Sequence, residues 1–573
     1  MGSSAPAARY FDLSRLSSLA EALHEGSFRV RSNVFLVETE RGRVLRELSF
    51  RDFRAEVARA AHAMRERGIG PDARVALLLA NGPEWLIAAS AALTLGAVLA
   101  PLDARLDPEG QAGLVRHCRP ALVVADGPVW RRLAQHLPEQ QALVVRPLGE
   151  LSAPAEDWEA ALPARAELPA PAARRREDVA AIVYSSGTSG RPKGCLLSHG
   201  NYLSQLESLA NLYPLEEDDV YLSVLPSNHA IDFMCGFLVP VLCGARVVHL
   251  RTLRPEHIVA ALTDHGVTHL SAVPALLAAL ERSLREGLED AERHPLLQAG
   301  LSGMRRLNAR LTERAPRPWL SRALLRPVHQ RLGGRLRTIF AGGAPVPAET
   351  ARFLYELGIP VAIGYGQTEA GTVISVNRLD PFRADTVGPP LDGLEVRLAE
   401  RDAEGRGEVL VRGPSVFLGY LDDEELTAET LREGWLHTGD LGVIDATGHL
   451  RLVGRKKHMV VTAGGKNVYP EDVERSFQGL ACAELAVVAA HQVWPSAPGQ
   501  DERLILALRA GDADPAALLA EAAQRNRRLP SYQRLAGALV VAQSFPRTTS
   551  LKLKRHELAE SLSGCSPDEL RPL

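Results

Sequence analysis

The sequence predicts an α/β protein, with a large N-terminal domain of two helix-covered sheets plus a small β-barrel-like subdomain, and a smaller, mobile α+β C-terminal domain. At 573 residues the chain exceeds one ordinary core of up to ~250–300 residues, so at least two domains are needed. Strand-like and helical patterns alternate through about residue 380, which argues for parallel sheets covered by helices. Between roughly residues 385 and 453 short alternating strands with glycine turns take over, as around Gly407 and Gly413, and these suggest a small antiparallel barrel or sheet.

The elements follow in order. Phe50, Phe53, Val57, Ala61 and Met64 share one helical stripe after Ser49, and Gly68 ends it. Residues 74–79 then read as a strand. Residues 86–102 carry no charge but fall short of the ~20 apolar residues a membrane span needs. Pro83 suits a first helical turn and Gly96 a helix end, so a buried helix and a short strand are expected there. Residues 153–176, rich in Pro, Ala and Arg, read as a surface connection. Residues 179–184 read as a buried strand, and Gly200-Asn201 opens a helix. Residues 281–337 are Leu/Arg-rich with helical spacing, as in a solvated helical insert. Pro470, Glu471 and Asp472 favour a helix start, and apolar runs at 485–489 and 504–508 complete a compact C-terminal domain.

Composition excludes some functions. A net charge of -3 offers no footprint for nucleic acid. The six cysteines show no C-x-x-C pairing or zinc spacing and are expected to be reduced in a cytoplasmic protein. Residues 1–10 lack a basic region followed by an apolar one, so no signal peptide is expected.

The run Tyr184-Ser185-Ser186-Gly187-Thr188-Ser189-Gly190-Arg191-Pro192-Lys193-Gly194 follows the strand at 179–184. Its glycines let backbone N–H groups approach anionic oxygens, its hydroxyls donate further bonds, and Arg191 and Lys193 offset charge. It is not a Walker loop, because Pro192 stands where Gly-Lys-Ser/Thr would have to begin. Further along stand Gly342-Gly343-Ala344-Pro345, Gly364-Tyr365-Gly366-Gln367-Thr368-Glu369, Trp435-Leu436-His437-Thr438-Gly439-Asp440, Gly454-Arg455-Lys456-Lys457 and Pro546-Arg547-Thr548-Thr549-Ser550-Leu551-Lys552.

This ordered set resembles the adenylate-forming enzymes, and within them the acyl-CoA synthetase branch that includes fatty-acid and long-chain ligases. The resemblance implies activation of a carboxylic acid, with a medium- or long-chain fatty acid favoured, by MgATP to acyl-AMP and pyrophosphate, then transfer to coenzyme A. A carrier-protein phosphopantetheine or an amine as acceptor, and an inactive nucleotide-binding homologue, are the alternatives. Oligomeric state is open.

The resemblance also implies roles. Ser185, Ser186, Gly187, Thr188, Ser189, Gly190 and Lys193 would hold the β- and γ-phosphates. Gly342, Gly343, Ala344, Tyr365 and Gly366 would border the nucleotide, with Tyr365 stacked on adenine. Thr368 would bond the α-phosphate and Glu369 would coordinate Mg²⁺. Asp440 would accept the ribose hydroxyls, reinforced by Arg455. Lys552 would stabilise charge on the α-phosphate and carboxylate, although Leu551 replaces the family's usual glycine. Lys457 would be the hinge between residues 1–456 and 457–573, and the Gly464-Gly465 loop would line a pantetheine tunnel. His229 would stand near the acyl pocket and orient the acceptor. Asp232 lies one place out of register with the ammonium-binding aspartate of amino-acid adenylation domains, which disfavours an amino-acid substrate.

Overall fold

The computed structural model describes residues 11–30, 32–185, 193–292, 295–312, 315–461, 467–494, 503–547 and 553–573. Two compact units are present: residues 1–395 with 411–436, and residues 396–410 with 437–573.

The first unit holds two eight-stranded sheets. One has the strand order Ser375–Val376, Val361–Tyr365, Thr338–Ala341, His269–Ala272, Val220–Ser223, Arg246–Leu250, Val34–Glu40, Arg43–Ser49. Its interior pairs are parallel and its two edge pairs antiparallel. The other runs Gly419–Tyr420, Lys193–Ser198, Val179–Ser185, Val98–Pro101, Arg74–Leu78, Leu122–Asp126, Ala142–Val145, Ala155–Asp157, parallel except where Lys193–Ser198 meets its two neighbours. The helix Phe50–Glu66 begins at a Ser49–Asp52 capping box, as its apolar stripe predicts. The helix Pro83–Thr94 is buried at every position, which accounts for a sequence whose one charged residue, Glu84, is paired with Arg46 at 3.1 Å. No described helix is long and apolar enough to cross a membrane.

One expectation changes. Residues 153–176 are more than a surface connection: they contribute the sheet edge Ala155–Asp157, bury Trp158, and bring Ala172 N–H to the Thr94 carbonyl at 2.9 Å. The segment's composition concealed this, since one tryptophan and one short strand do the anchoring. The loop beginning at Ser185 is followed by a strand, and the helix expected at Gly200-Asn201 comes after it. Lys193–Ser198 folds back on Val179–Ser185, and the helix His199–Leu212 starts only after it, capped by Ser198.

A five-stranded sheet has the order Glu395–Ala399, Gly407–Arg412, Trp435–Ile444, Leu431–Arg432, with Leu450–Arg455 pairing to Trp435–Ile444. In the second unit a three-stranded sheet, Glu484–Ala489, Leu504–Arg509 and Gly537–Val540, carries an apolar core on each face. The helices Pro470–Arg475 and Pro515–Arg527 contribute Val473, Leu518 and Ala522 to one core, and Arg555–Leu562 contributes Leu558 and Leu562 to the other.

Candidate active site

The hairpin that carries the serine-glycine run places Ser185 opposite Lys193. Ser186, Gly187, Thr188, Ser189 and Gly190 lie outside the described residues. Alongside runs the short strand Gly419–Tyr420, with Tyr420 paired to Cys195 and Leu421 N–H donating to the Gly194 carbonyl at 2.8 Å.

The strand Val361–Tyr365 delivers the second motif. A Cβ on Gly366 would stand 2.0 Å from the Thr372 carbonyl oxygen, so only glycine fits where the chain doubles back. The fold-back closes when Ile374 N–H donates to the Tyr365 carbonyl at 2.8 Å. Between them the chain makes the turn Thr368–Ala370 and passes through Gly371 at φ 76° and Thr372 at φ 133°. Positive φ at a β-branched residue stores strain of roughly 1–3 kcal/mol, of the kind that gathers at functional turns.

That turn presents Glu369 to the hairpin. Its Oε1 accepts the Tyr420 hydroxyl at 2.9 Å and the Ser185 hydroxyl at 3.4 Å. Its own carbonyl accepts Phe417 N–H at 2.9 Å. The Lys193 ammonium stands 5.7 Å from the centroid of the Tyr420 ring. Burial first, and then the Glu369 charge, raise the Tyr420 pKa, so its hydroxyl stays a donor. Three segments far apart in sequence thus meet at one carboxylate oxygen. Sequence reasoning missed Tyr420, which had no signal beyond an aromatic after a glycine. Thr368 and Gly366 are half-buried in the same turn, and Tyr365 is buried.

Gly342, Gly343 and Ala344 follow the strand Thr338–Ala341, parallel neighbour of Val361–Tyr365. A Cβ on Gly342 would come within 3.0 Å of the Gly364 carbonyl, and Gly343 has φ 80°. Both motifs therefore lie at the carboxyl ends of adjacent parallel strands, where ligands of such sheets gather.

Beside these ends is a small apolar pocket. Leu209, Tyr213, Ile231, Cys235, Phe340 and Ala362 are among its walls, and no charged residue lines it. His229 precedes the short helix Ala230–Asp232, which runs into a π-helical turn, Phe233–Leu238. Ile231 and Cys235 from this segment face the pocket, whereas the Asp232 Oδ2 accepts hydroxyls from Ser223 at 2.9 Å and Ser227 at 3.1 Å. Asp232 is buried, and burial raises its pKa to about 7 against the opposing effect of those hydroxyls.

In the second unit Asp440 and Arg455 form a cross-strand pair, with Arg455 Nε 2.8 Å from Asp440 Oδ1. Asp440 is buried, and its N–H donates to the Thr438 hydroxyl at 3.0 Å. Lys457 is exposed in the turn Lys456–His458 directly after Arg455. On either side of it Lys456 pairs with Glu400 at 2.9 Å and His458 with Glu471 at 2.7 Å. Gly464, Gly465, Leu551 and Lys552 lie outside the described residues.

A family model described as AMP-binding enzyme matches residues 32–421. The chain is 35% identical over 327 residues to a putative fatty-acid–CoA ligase, fadD11, of Mycobacterium tuberculosis, a match spanning 55% of this chain and 56% of that protein's length. It is 30% identical over 451 residues to a feruloyl-CoA synthase of an Amycolatopsis species, covering 77% of this chain and 80% of that one. Among solved structures, the o-succinylbenzoate coenzyme A synthetase MenE of Bacillus subtilis, in complex with ATP and magnesium ion, superposes with a TM-score of 0.74 at 23% identity, covering 94% of this chain and 99% of that one.

The Asp232 geometry has a pH signature. The folded protein keeps this proton up to about pH 7, while the unfolded chain releases it near 3.8, so its contribution to stability is full below 3.8 and is lost as pH rises to 7. Asp232→Asn does not titrate. Its stability relative to the parent is expected to rise between pH 4 and 7 by on the order of 3 kcal/mol and then level off, as read by denaturant unfolding. A constant difference across that window would remove the buried proton.

Proposed function

The chain belongs to the AMP-binding enzyme family, and from that premise we propose that it is an AMP-forming acid–thiol ligase that converts a medium- or long-chain fatty acid to its acyl-CoA. The observation that carries this reading is the meeting of Glu369, Tyr420 and Ser185 beside Lys193, at strand ends that also border an uncharged pocket. The name of the fadD11 relative supports a fatty substrate. So does Asp232, whose Oδ2 is taken up by two serine hydroxyls and whose helix turns Ile231 and Cys235 toward the pocket instead.

In the first half-reaction a carboxylate oxygen attacks the α-phosphorus of ATP, the bond from that phosphorus to the α,β-bridging oxygen breaks, and pyrophosphate leaves with that oxygen. Little proton transfer is needed. Catalysis rests on positioning and on offsetting phosphate charge. Ser185, the loop that follows it and Lys193 hold the β- and γ-phosphates, Thr368 bonds the α-phosphate, and Tyr365 stacks on adenine between the two glycine turns. Glu369, a carboxylate among hydroxyl donors, suits a hard cation with oxygen preference, and Mg²⁺ held there would neutralise phosphate charge, as the MenE complex with ATP and magnesium ion encourages. Asp440, oriented by Arg455, accepts the ribose hydroxyls. Lys552 stabilises charge as the acyl–phosphate bond forms.

In the second half-reaction the thiol sulfur of CoA attacks the acyl carbon and AMP departs. His229, two residues before the pocket-lining Ile231, orients the acceptor. Rotation at Lys457 exchanges Lys552 for the Gly464-Gly465 loop. The described cysteines are free thiols, consistent with a cytoplasmic enzyme.

Two experiments test the reading. Lys552→Ala is expected to lower acid-dependent pyrophosphate exchange by about 10²-fold or more, while thioester formation from supplied acyl adenylate stays near normal; Lys457→Pro should impair one half-reaction and spare the other. Equal losses in both assays for Lys552→Ala would withdraw its role, and full rates in both for Lys457→Pro would withdraw the hinge. Ala362→Phe, which fills the pocket beneath the second motif, is expected to shift the preferred acid to shorter chains, with kcat/KM for the longest substrate down about tenfold or more. A uniform loss over all chain lengths, or a parent enzyme that prefers aromatic acids, would overturn the pocket assignment.

A further inference from the structure

Ten arginines stand between residues 305 and 337, against one acidic residue, Glu313, in a chain of net charge -3. Several are engaged within the protein. Arg305 lies 3.8 Å from Glu356, Arg335 pairs with Asp218 and Arg337 with Asp219, each at 3.0 Å. Arg306, Arg310, Arg317 and Arg326 are exposed and have no acidic partner among the described residues.

Large apolar side chains are interleaved with them. Trp319 is 70% exposed, Leu307 46% and Leu311 42%. One exposed leucine needs no account, but a tryptophan and two leucines among unpaired cations do. The helix Pro295–Leu311 buries Asn308 and turns Arg306, Leu307, Arg310 and Leu311 outward. Trp319 rides on the next helix, Pro318–Leu324, whose buried Ser321 donates to Asn308 Oδ1 at 2.9 Å. The pair is anchored from below: Asn308 Nδ2 donates to the Glu356 carbonyl at 3.0 Å, and the Tyr355 hydroxyl to the Thr312 carbonyl at 2.6 Å. The exposed side chains therefore project from fixed backbone.

We propose that this face docks on the surface of an anionic phospholipid bilayer. Guanidinium groups match lipid phosphates, tryptophan favours the headgroup level, and leucines at helical spacing enter the acyl boundary. An acidic protein would also attract the arginines, but leucine is under-represented at protein hot spots, whereas leucine with tryptophan and arginine on a surface helix is the interfacial pattern. Docking rests on the surface alone. Its purpose rests on the fatty-acid reading above, because such acids concentrate in the bilayer.

Flotation of the full chain with phosphatidylcholine vesicles, with and without about one-third phosphatidylglycerol, tests this. Binding is expected only to the anionic vesicles and weakens as salt rises. At about fivefold per arginine near such a surface, Arg306→Glu with Arg310→Glu should lower partitioning by tenfold or more. Trp319→Ala, at an exposed position that the fold does not need, should lower it severalfold. Absence of binding to anionic vesicles at low salt, or unchanged partitioning of both variants, overturns the proposal. So does a face that ignores vesicles but binds an acidic acyl carrier protein through Arg306 and Arg310. Pyrophosphate exchange with octanoate, run on the same proteins without lipid, reports separately on the catalytic reading.

Discussion

A single carboxylate oxygen organises the first unit. Glu369 Oε1 takes hydroxyl hydrogens from Tyr420 and Ser185, residues that belong to a sheet-edge strand and to the base of the serine-glycine loop. Glu369 itself belongs to a turn leaving the other sheet. Bringing these together requires both sheets to present their loops to one place, and it requires the hairpin at Lys193–Ser198 to carry a third strand at its edge. A carboxylate held this way keeps its acceptor character, since each neighbour donates to it. The fold-back through Gly366, Gly371 and Thr372 is the backbone's answer to the same demand, and its positive φ at Thr372 is borne by the surrounding hydrogen bonds.

Around that point the protein separates polar from apolar chemistry by secondary-structure geometry. The π-helical turn after Asp232 sends Ile231 and Cys235 to the pocket and leaves the carboxyl group with serines of the strand and loop behind it. A buried carboxyl with a pKa of about 7 is a protonated or half-protonated group near neutrality, and it does not offer the full negative charge that an ammonium ligand would seek. The pocket is consequently a surface of hydrocarbon and aromatic rings.

Charge is distributed just as unevenly. The overall balance is nearly neutral, so any anion site has to rest on local groups rather than on a global field. The largest positive density lies instead in the helices preceding the strand Thr338–Ala341, where arginines outnumber acids and large apolar side chains remain in water. Such a surface carries a cost in solubility. That makes it a feature to be explained by what it meets.

Much was legible in the sequence. Alternation of strand and helix gave the parallel sheets, since a strand buried on both faces must be apolar throughout, and Gly364-Tyr365-Gly366 could be placed at a strand end from its apolar lead-in. The cross-strand meeting of Asp440 and Arg455 joins two motifs already singled out. Other features could not be read. Tyr420 and Glu369 are 51 positions apart, and Ser185 and Glu369 are 184 apart. Residues 153–176 looked like a solvated connection because composition averages away one anchoring tryptophan. Local propensity and periodicity determine which segments become strands, helices and turns, because those choices are made within a few residues. Which hydroxyl reaches which carboxylate, and which face of a helix meets the pocket, is decided only when distant segments pack, because burial and hydrogen bonding act through space and not along the chain.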